Sequence, residues 1–257
     1  IHSISWRGSR PGLSRITELC EKMGNPQDSL RFIHIAGTNG KGSTAEMLSS
    51  ILSAAGYKVG LFTSPFVERF NERIRCCGED IPDDALADVT EYVKGFADTM
   101  ADPPTEFELI TAVGLEYYKR GGCDYVVLEC GLGGRFDSTN VIQTSVLSVI
   151  TGIDLDHTAL LGDTTAKIAW EKAGIIKDGV PVLFGEGDDD AADVIKTEAD
   201  AHGAPDLLGD HHPPQVVNTA YDAGCFHIKI PPVKGKFTRV VFTVGIFLCL
   251  AKFNQKM

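Results

Sequence analysis

Three things are scarce in this chain, and each narrows what it can be. Positive charge is the first. Lys and Arg number 24 against 35 Asp and Glu, a net charge of -11. That argues against a general binder of nucleic acid or of an anionic membrane, yet leaves room for an anion in a local pocket. Paired cysteine is the second. Cys20, Cys76, Cys77, Cys123, Cys130, Cys225 and Cys249 are odd in number and form no C-x-x-C. A reduced, cytosolic chain without a zinc site is expected, with Cys123 and Cys130 as core thiols flanking an apolar run. Long apolar stretches are the third. "VVFTVGIFLCLA" near the end is too short to span a bilayer, and no signal peptide, internal repeat or low-complexity tract stands out. The chain opens on Ile1 rather than Met, so its true start is expected upstream.

What is present suits one large α/β domain, or one domain and part of another: 257 residues, 43% of them apolar. Helical spacing runs over 11–23, 43–55, 83–100, 106–120 and 164–176, and an acidic amphipathic helix over "DDDAADVIKTEADAHG". Short buried strands are expected at "RFIHIAG", "YKVGLFTS", "DYVVLEC", "TSVLSVIT" and "GVPVLFG", and an irregular or hairpin segment at "NERIRCCGEDIP". Strand, glycine loop, helix and strand in that order read as a βαβ unit with a parallel sheet. After about Gly209 the character changes. "DHHPPQVVNTAYDAG" is loop-like and "CFHIKIPP" strand-like.

The chemistry-bearing segments follow the strands. In "GTNGKGST", Gly37, Gly40 and Gly42 let backbone N–H groups turn toward an anion. Lys41 adds a point charge for β/γ-phosphates, and Ser43 and Thr44 open a helix whose positive end faces the same way. Thr38 and Asn39 complete the loop. The spacing misses the common Walker pattern, because Ile35 stands where its first glycine belongs. Ser64 lies at the end of the second strand, where ligands bind in open α/β sheets. Glu129 ends another strand, followed by glycines at 131, 133 and 134, in a place that suits a metal directly or through water. Asp137, Thr139 and Asn140 either set the following turn or touch ligand. His157 follows a further strand, so three oxygen or nitrogen donors can converge at one sheet edge, with Asp154 or Asp156 orienting the imidazole or holding Mg²⁺ through water. Lys172 shares a helical face with Ile168, Ala169 and Ile176. Drawn inward, it would be a partly desolvated amine of lowered pKa; by pattern alone, a snorkelling surface lysine is favoured.

The runs "PGLSRITELCEKMGNPQ", "FIHIAGTNGKGST", "LFTSPFVERFNERI", "TEFELITA", "ECGLGGRFDSTNVI" and "LDHTALLGDTTAKIAWEKAGIIK" together resemble the folylpolyglutamate synthase and dihydrofolate synthase family, within the Mur-type ATP-dependent amide ligases. The resemblance implies a P-loop α/β domain with a mostly parallel sheet flanked by helices. It implies a monomeric enzyme that uses ATP to phosphorylate a carboxylate of folate or dihydropteroate before L-glutamate attacks. Carried onto this chain, residues Gly37 to Ser43 would hold the triphosphate and Ser64, Glu129 and His157 would bind Mg²⁺. Lys172 would match the lysine that the family carbamylates with CO₂ to hold a second Mg²⁺. Lys41, His157 and Lys172 would then be the catalytic group.

Two positions depart from the family pattern: Phe66 stands where many relatives have histidine, and Asp154 where glycine is frequent. The family's second α/β domain would supply further contacts. On this basis residues 1–209 are expected to form the ATP-binding domain and 210–257 an irregular, β-containing extension toward it. The competing readings are a Mur-type ligase of cell-wall synthesis and a non-catalytic nucleotide-binding module.

Overall fold

The computed structural model describes residues 10–205 in full and the backbone of 225–233 and 236–243. Seven strands form one sheet in the order β4-β3-β2-β5-β1-β6-β7. These are β1 (Phe32–Ala36), β2 (Val59–Phe62), β3 (Ile74–Cys76), β4 (Glu79–Asp80), β5 (Tyr125–Glu129), β6 (Ser145–Ile150) and β7 (Val182–Phe184). From β2 to β7 across the sheet every neighbouring pair is parallel, while β3 and β4 add an antiparallel hairpin at one edge. A separate antiparallel pair, β8 (Cys225–Val233) and β9 (Lys236–Thr243), lies in the C-terminal part. The strand expected at "CFHIKIPP" is therefore present; the loop expected at 210–224 lies outside the described residues.

Alternation along the central strands sorts side chains to two faces. Ile33 and Ile35 of β1, with Leu61 and Val127, pack under α2 (Lys41–Ala54) through Ala45, Leu48 and Leu52. Phe32, Phe62, Val126 and Leu128 face the opposite way. They meet α1 (Ser14–Lys22), α3 (Asp83–Ala97) and α4 (Glu106–Gly121). A third cluster joins Ala36, Ile150 and Val182 to α6 (Thr165–Ala173) and α7 (Asp189–Ala201), past the short α5 (Thr158–Leu161). Because both faces are covered, β1 and β5 are buried at every residue, as parallel strands require.

Local chemistry sets the ends. Thr105 caps α4 by accepting the Glu108 N–H while the Glu108 carboxylate takes the Thr105 N–H, a capping box. Gly122, in the left-handed region, stops the same helix. The helices expected over 83–100 and 164–176 are shorter, ending at Ala97 and Ala173. Ile176 is buried, but from the turn beyond α6. Among the described residues no helix is long and apolar enough to cross a membrane.

One buried ion pair fastens α1 to α4. Arg15 Nη2 lies 2.9 Å from Glu108 Oε1, and Arg15 Nε donates to Oε2 at 3.0 Å, with side chains only 8% and 4% exposed. Removing the cation leaves a capping carboxylate buried without its partner. Arg15→Met is expected to lower unfolding free energy by about 3–5 kcal/mol, read from the urea midpoint; a loss below about 1 kcal/mol would mean that water replaces the guanidinium freely.

Candidate active site

β1 is the middle one of the five parallel strands, and the loop that leaves it is held by backbone bonds together with the side chains of Thr38, Lys41 and Thr151. Gly37 has φ +152, and a Cβ there would stand 1.9 Å from Thr151 Oγ1. That close approach lets Thr151 Oγ1 donate to Asn39 O at 2.7 Å, while the Thr38 N–H donates to Gly152 O at 2.7 Å. Thr38 Oγ1 donates to Asp154 O at 3.1 Å and accepts the Asp154 N–H at 3.2 Å. The glycine loop is thus stapled to the segment after β6. Gly40 then turns through φ 80 and α2 begins at Lys41 without a side-chain cap. Its free first-turn N–H groups and helix dipole form an anion-binding end. Lys41 Nζ folds over the loop and donates to Gly37 O at 2.9 Å and Thr38 O at 3.2 Å. Ser43 is exposed at this end. Thr44 is buried, and its N–H is engaged by Gly40 O.

Two of the three expected donors come together beside that helix end. Ser64 follows β2, and its N–H donates to Glu129 Oε2 at 3.0 Å. Glu129, at the end of β5, is 3% exposed, and both its carboxylate oxygens would lie within 3.8 Å of a Cβ on Gly42. Burial raises its pKa, opposed by the Ser64 N–H and the charge of Lys41. A nearly dry carboxylate, held by the backbone of a serine that carries a second oxygen donor, offers the hard oxygen chemistry that Mg²⁺ prefers, so these residue types fit that cation.

His157 is placed differently. It is exposed on the loop after β6, with left-handed φ 47; its carbonyl accepts the N–H groups of Leu160 and Leu161, and its N–H and imidazole face Asp156. The His157 N–H donates to Asp156 Oδ1 at 2.8 Å, and Nε2 lies 3.6 Å from Oδ2. Asp156, not Asp154, is the residue beside the imidazole. Among the described residues no group of three or more His, Cys, Asp and Glu side chains is assembled to hold a metal. His157 lies seven positions beyond the end of β6, and the loop is anchored to the glycine turn at Thr151, Gly152 and Asp154.

Lys172 is only 2% exposed, against the surface placement favoured by pattern alone. Burial pushes its pKa down to about 8, helped by the charge of Lys41 and opposed by Cys130 and Asp156. The second glycine loop holds this end of α6. A Cβ on Gly134 would come 2.8 Å from Glu171 O and 2.9 Å from Lys172 O. The Arg135 N–H donates to Glu171 O at 2.7 Å, and Asn140 Nδ2 bridges Arg135 O and Gly174 O at 3.1 and 3.0 Å.

Sequence reasoning passed over His34. It lies in the middle of β1, wholly buried, with Nε2 2.9 Å from Thr139 Oγ1 and 3.2 Å from Cys130 Sγ. Thr139 Oγ1 donates to Asp137 Oδ1 at 2.5 Å, so its oxygen accepts from Nε2–H. Asp137 also takes the N–H groups of Leu132 and Thr139 at 2.8 and 2.9 Å. The turn-setting reading of Asp137, Thr139 and Asn140 is the one the structure favours. The available signal was a polar residue inside an otherwise apolar strand, with no partner visible nearby in the chain.

Over the matched residues a curated relative and two solved structures agree. The dihydrofolate synthase/folylpolyglutamate synthase of Bacillus subtilis is 45% identical over 210 residues, covering 80% of this chain and 49% of that protein. A solved FPGS–AMPPCP complex superposes with a TM-score of 0.76 at 44% identity, covering 82% of this chain and 52% of that one. E. coli FolC in complex with DHPP and ADP gives 0.73 at 36% identity, covering 78% and 47%. No family model matches the chain. The fold is that of an α/β domain of the Mur ligase type. Within that type, the chain is homologous to the folylpolyglutamate and dihydrofolate synthases, and it spans about half the length, 49%, of the first of those curated relatives.

The buried histidine makes acid stability a test of this geometry. Burial pushes the His34 pKa down from an ordinary 6.5 to about 3, so the native state refuses a proton that the unfolded chain accepts. Its neutral form contributes stability fully above pH 6.5, and that contribution is lost as pH falls toward 3. At about 1.4 kcal/mol per pH unit, His34→Gln is expected to flatten the fall in the urea midpoint across this window. Parallel curves for variant and wild type would show that His34 accepts its proton without unfolding.

Proposed function

We propose that this chain carries the nucleotide-binding and phosphoryl-transfer part of an ATP-dependent ligase that joins L-glutamate to a folate-type carboxylate, acting in the cytoplasm. The observation that carries the reading is the meeting of an uncapped α2 end, Lys41 and the buried Glu129–Ser64 contact at one sheet edge. The names of the relatives support the folate side, and the neighbours solved with AMPPCP or ADP support the nucleotide. Residues 1–209 form the ATP-binding domain in this reading, and 210–257 lead into a further unit.

The loop from Gly37 to Ser43 would hold the triphosphate through backbone N–H groups, with Lys41 exchanging loop carbonyls for phosphate oxygens. Ser64 and Glu129 would hold Mg²⁺, joined by His157 from the neighbouring loop. Lys172, whose burial favours the neutral amine that CO₂ requires, would be carbamylated and hold a second ion. Bound Mg²⁺ would offset the repulsion between nucleotide and carboxylate. An oxygen of the substrate carboxylate attacks the γ-phosphorus and ADP leaves, giving an acyl phosphate. The amine of glutamate then attacks the acyl carbon, phosphate departs, and the amine proton is released. Positioning and electrostatics suffice for both steps, and no side-chain nucleophile is needed.

Calorimetry with Mg·ATP is the first check. Lys41→Met is expected to weaken binding about tenfold or more, and Glu129→Gln to remove most of its Mg²⁺ dependence; equal affinities would sink the site assignment. Ligation is checked with dihydropteroate or tetrahydrofolate and labelled glutamate. The chain alone is expected to turn over poorly, and fusion to the remaining half of a relative to restore glutamate-dependent ADP release. ATP binding with no response to either pterin substrate, even after fusion, would replace this reading with a nucleotide-binding module.

A further inference from the structure

At the amino ends of β2 and β5, on the edge of the sheet opposite Ser64 and Glu129, three thiols meet. Cys76 closes β3 and pairs across β2 with Gly60, whose other neighbour is Val126 of β5. Cys123 lies in the turn between α4 and β5. Cys76 Sγ is 3.5 Å from Cys123 Sγ and 3.7 Å from Cys77 Sγ. The last residue of α4 covers the pair, since a Cβ on Gly121 would sit 3.7 Å from one sulfur and 3.9 Å from the other. Cys76 is half-buried and Cys123 buried, while Cys20 and Cys130 are buried elsewhere in the core.

We propose that Cys76 and Cys123 form a thiol–disulfide exchange site for low-molecular-weight disulfides. Cys76, the more accessible of the two, is the attacking sulfur; Cys123, behind it, resolves. The contact with Cys123 holds the Cys76 thiol down to about 6, against burial and with help from Cys77 and Lys58, whereas Cys123 is pushed up. That asymmetry suits an attacking and a resolving thiol. The Cys76 thiolate displaces one thiolate from the small disulfide, forming a mixed disulfide. Cys123, giving up its proton, then attacks Cys76 Sγ and expels the second small thiolate. Two protein thiols are oxidised to one disulfide as the small disulfide is reduced to two thiols. Cys77 is a poorer resolver, because a bond between adjacent residues closes an eight-membered ring and distorts the linking peptide.

The cross-link would join positions 47 residues apart, tying the β3–β4 hairpin to the α4–β5 turn and restricting the unfolded chain. It lies away from the phosphate loop, so nucleotide affinity should not change.

The test incubates the full chain with oxidised glutathione, alkylates remaining thiols and maps the peptides. A linked 76–123 peptide is expected, reversible by dithiothreitol, with a raised thermal midpoint. Cys77→Ser should keep the link, and Cys123→Ser should stop at a stable mixed disulfide on Cys76. Recovery of Cys76 and Cys123 as free thiols, a lasting mixed disulfide on the unaltered chain, or a Cys76–Cys77 link would each overturn the assignment.

Discussion

The glycine loop keeps its shape because Thr151 stands where a side chain at position 37 would be. Everything at the site depends on that contact. It brings Thr151 and Gly152 against Asn39 and Thr38, and this fixes the direction in which α2 starts. With α2 so aimed, Gly42 lies against the Glu129 carboxylate and Lys41 reaches over the loop. These bonds occupy the Thr38 N–H and hydroxyl and the loop carbonyls but not the first N–H groups of α2, which remain for an anion.

Burial shapes the charges around it. Glu129 is made reluctant to ionise and Lys172 reluctant to take a proton, each because water is excluded. Lys41 acts on both in the directions its charge dictates, favouring the carboxylate and opposing the ammonium. Lys41 is the charge that both groups feel. Behind them the buried His34–Thr139–Asp137 chain braces the second glycine loop, which in turn grips the end of α6 that presents Lys172.

Much of this was legible in the chain. The 2- and 3.6-residue periods gave the strands and helices because both faces of the sheet are covered and a buried surface must be apolar. The glycine loop, Ser64 and Glu129 were legible because strand ends in a parallel sheet share one edge. Less visible were features that need partners distant in sequence. His34 meets residues about a hundred positions away, and Arg15 meets Glu108 across 93. Lys172 looked more like a surface residue, since its inward turn depends on Gly134 and Arg135 packing over α6. His157 sits on an exposed loop, and a loop's path is set by its anchors rather than by the strand before it.

By itself, then, the sequence determined which segments become strands and helices, where a glycine loop opens a helix, and which ligase family the motifs resemble. Those are local properties: periodicity, glycine freedom and helix polarity act over a few residues. Only the tertiary structure decided which ionisable groups lose their water, which hydroxyls face inward, and that Cys76 and Cys123 touch. Desolvation and sulfur–sulfur contact depend on what the rest of the chain brings alongside, and no short stretch carries that information.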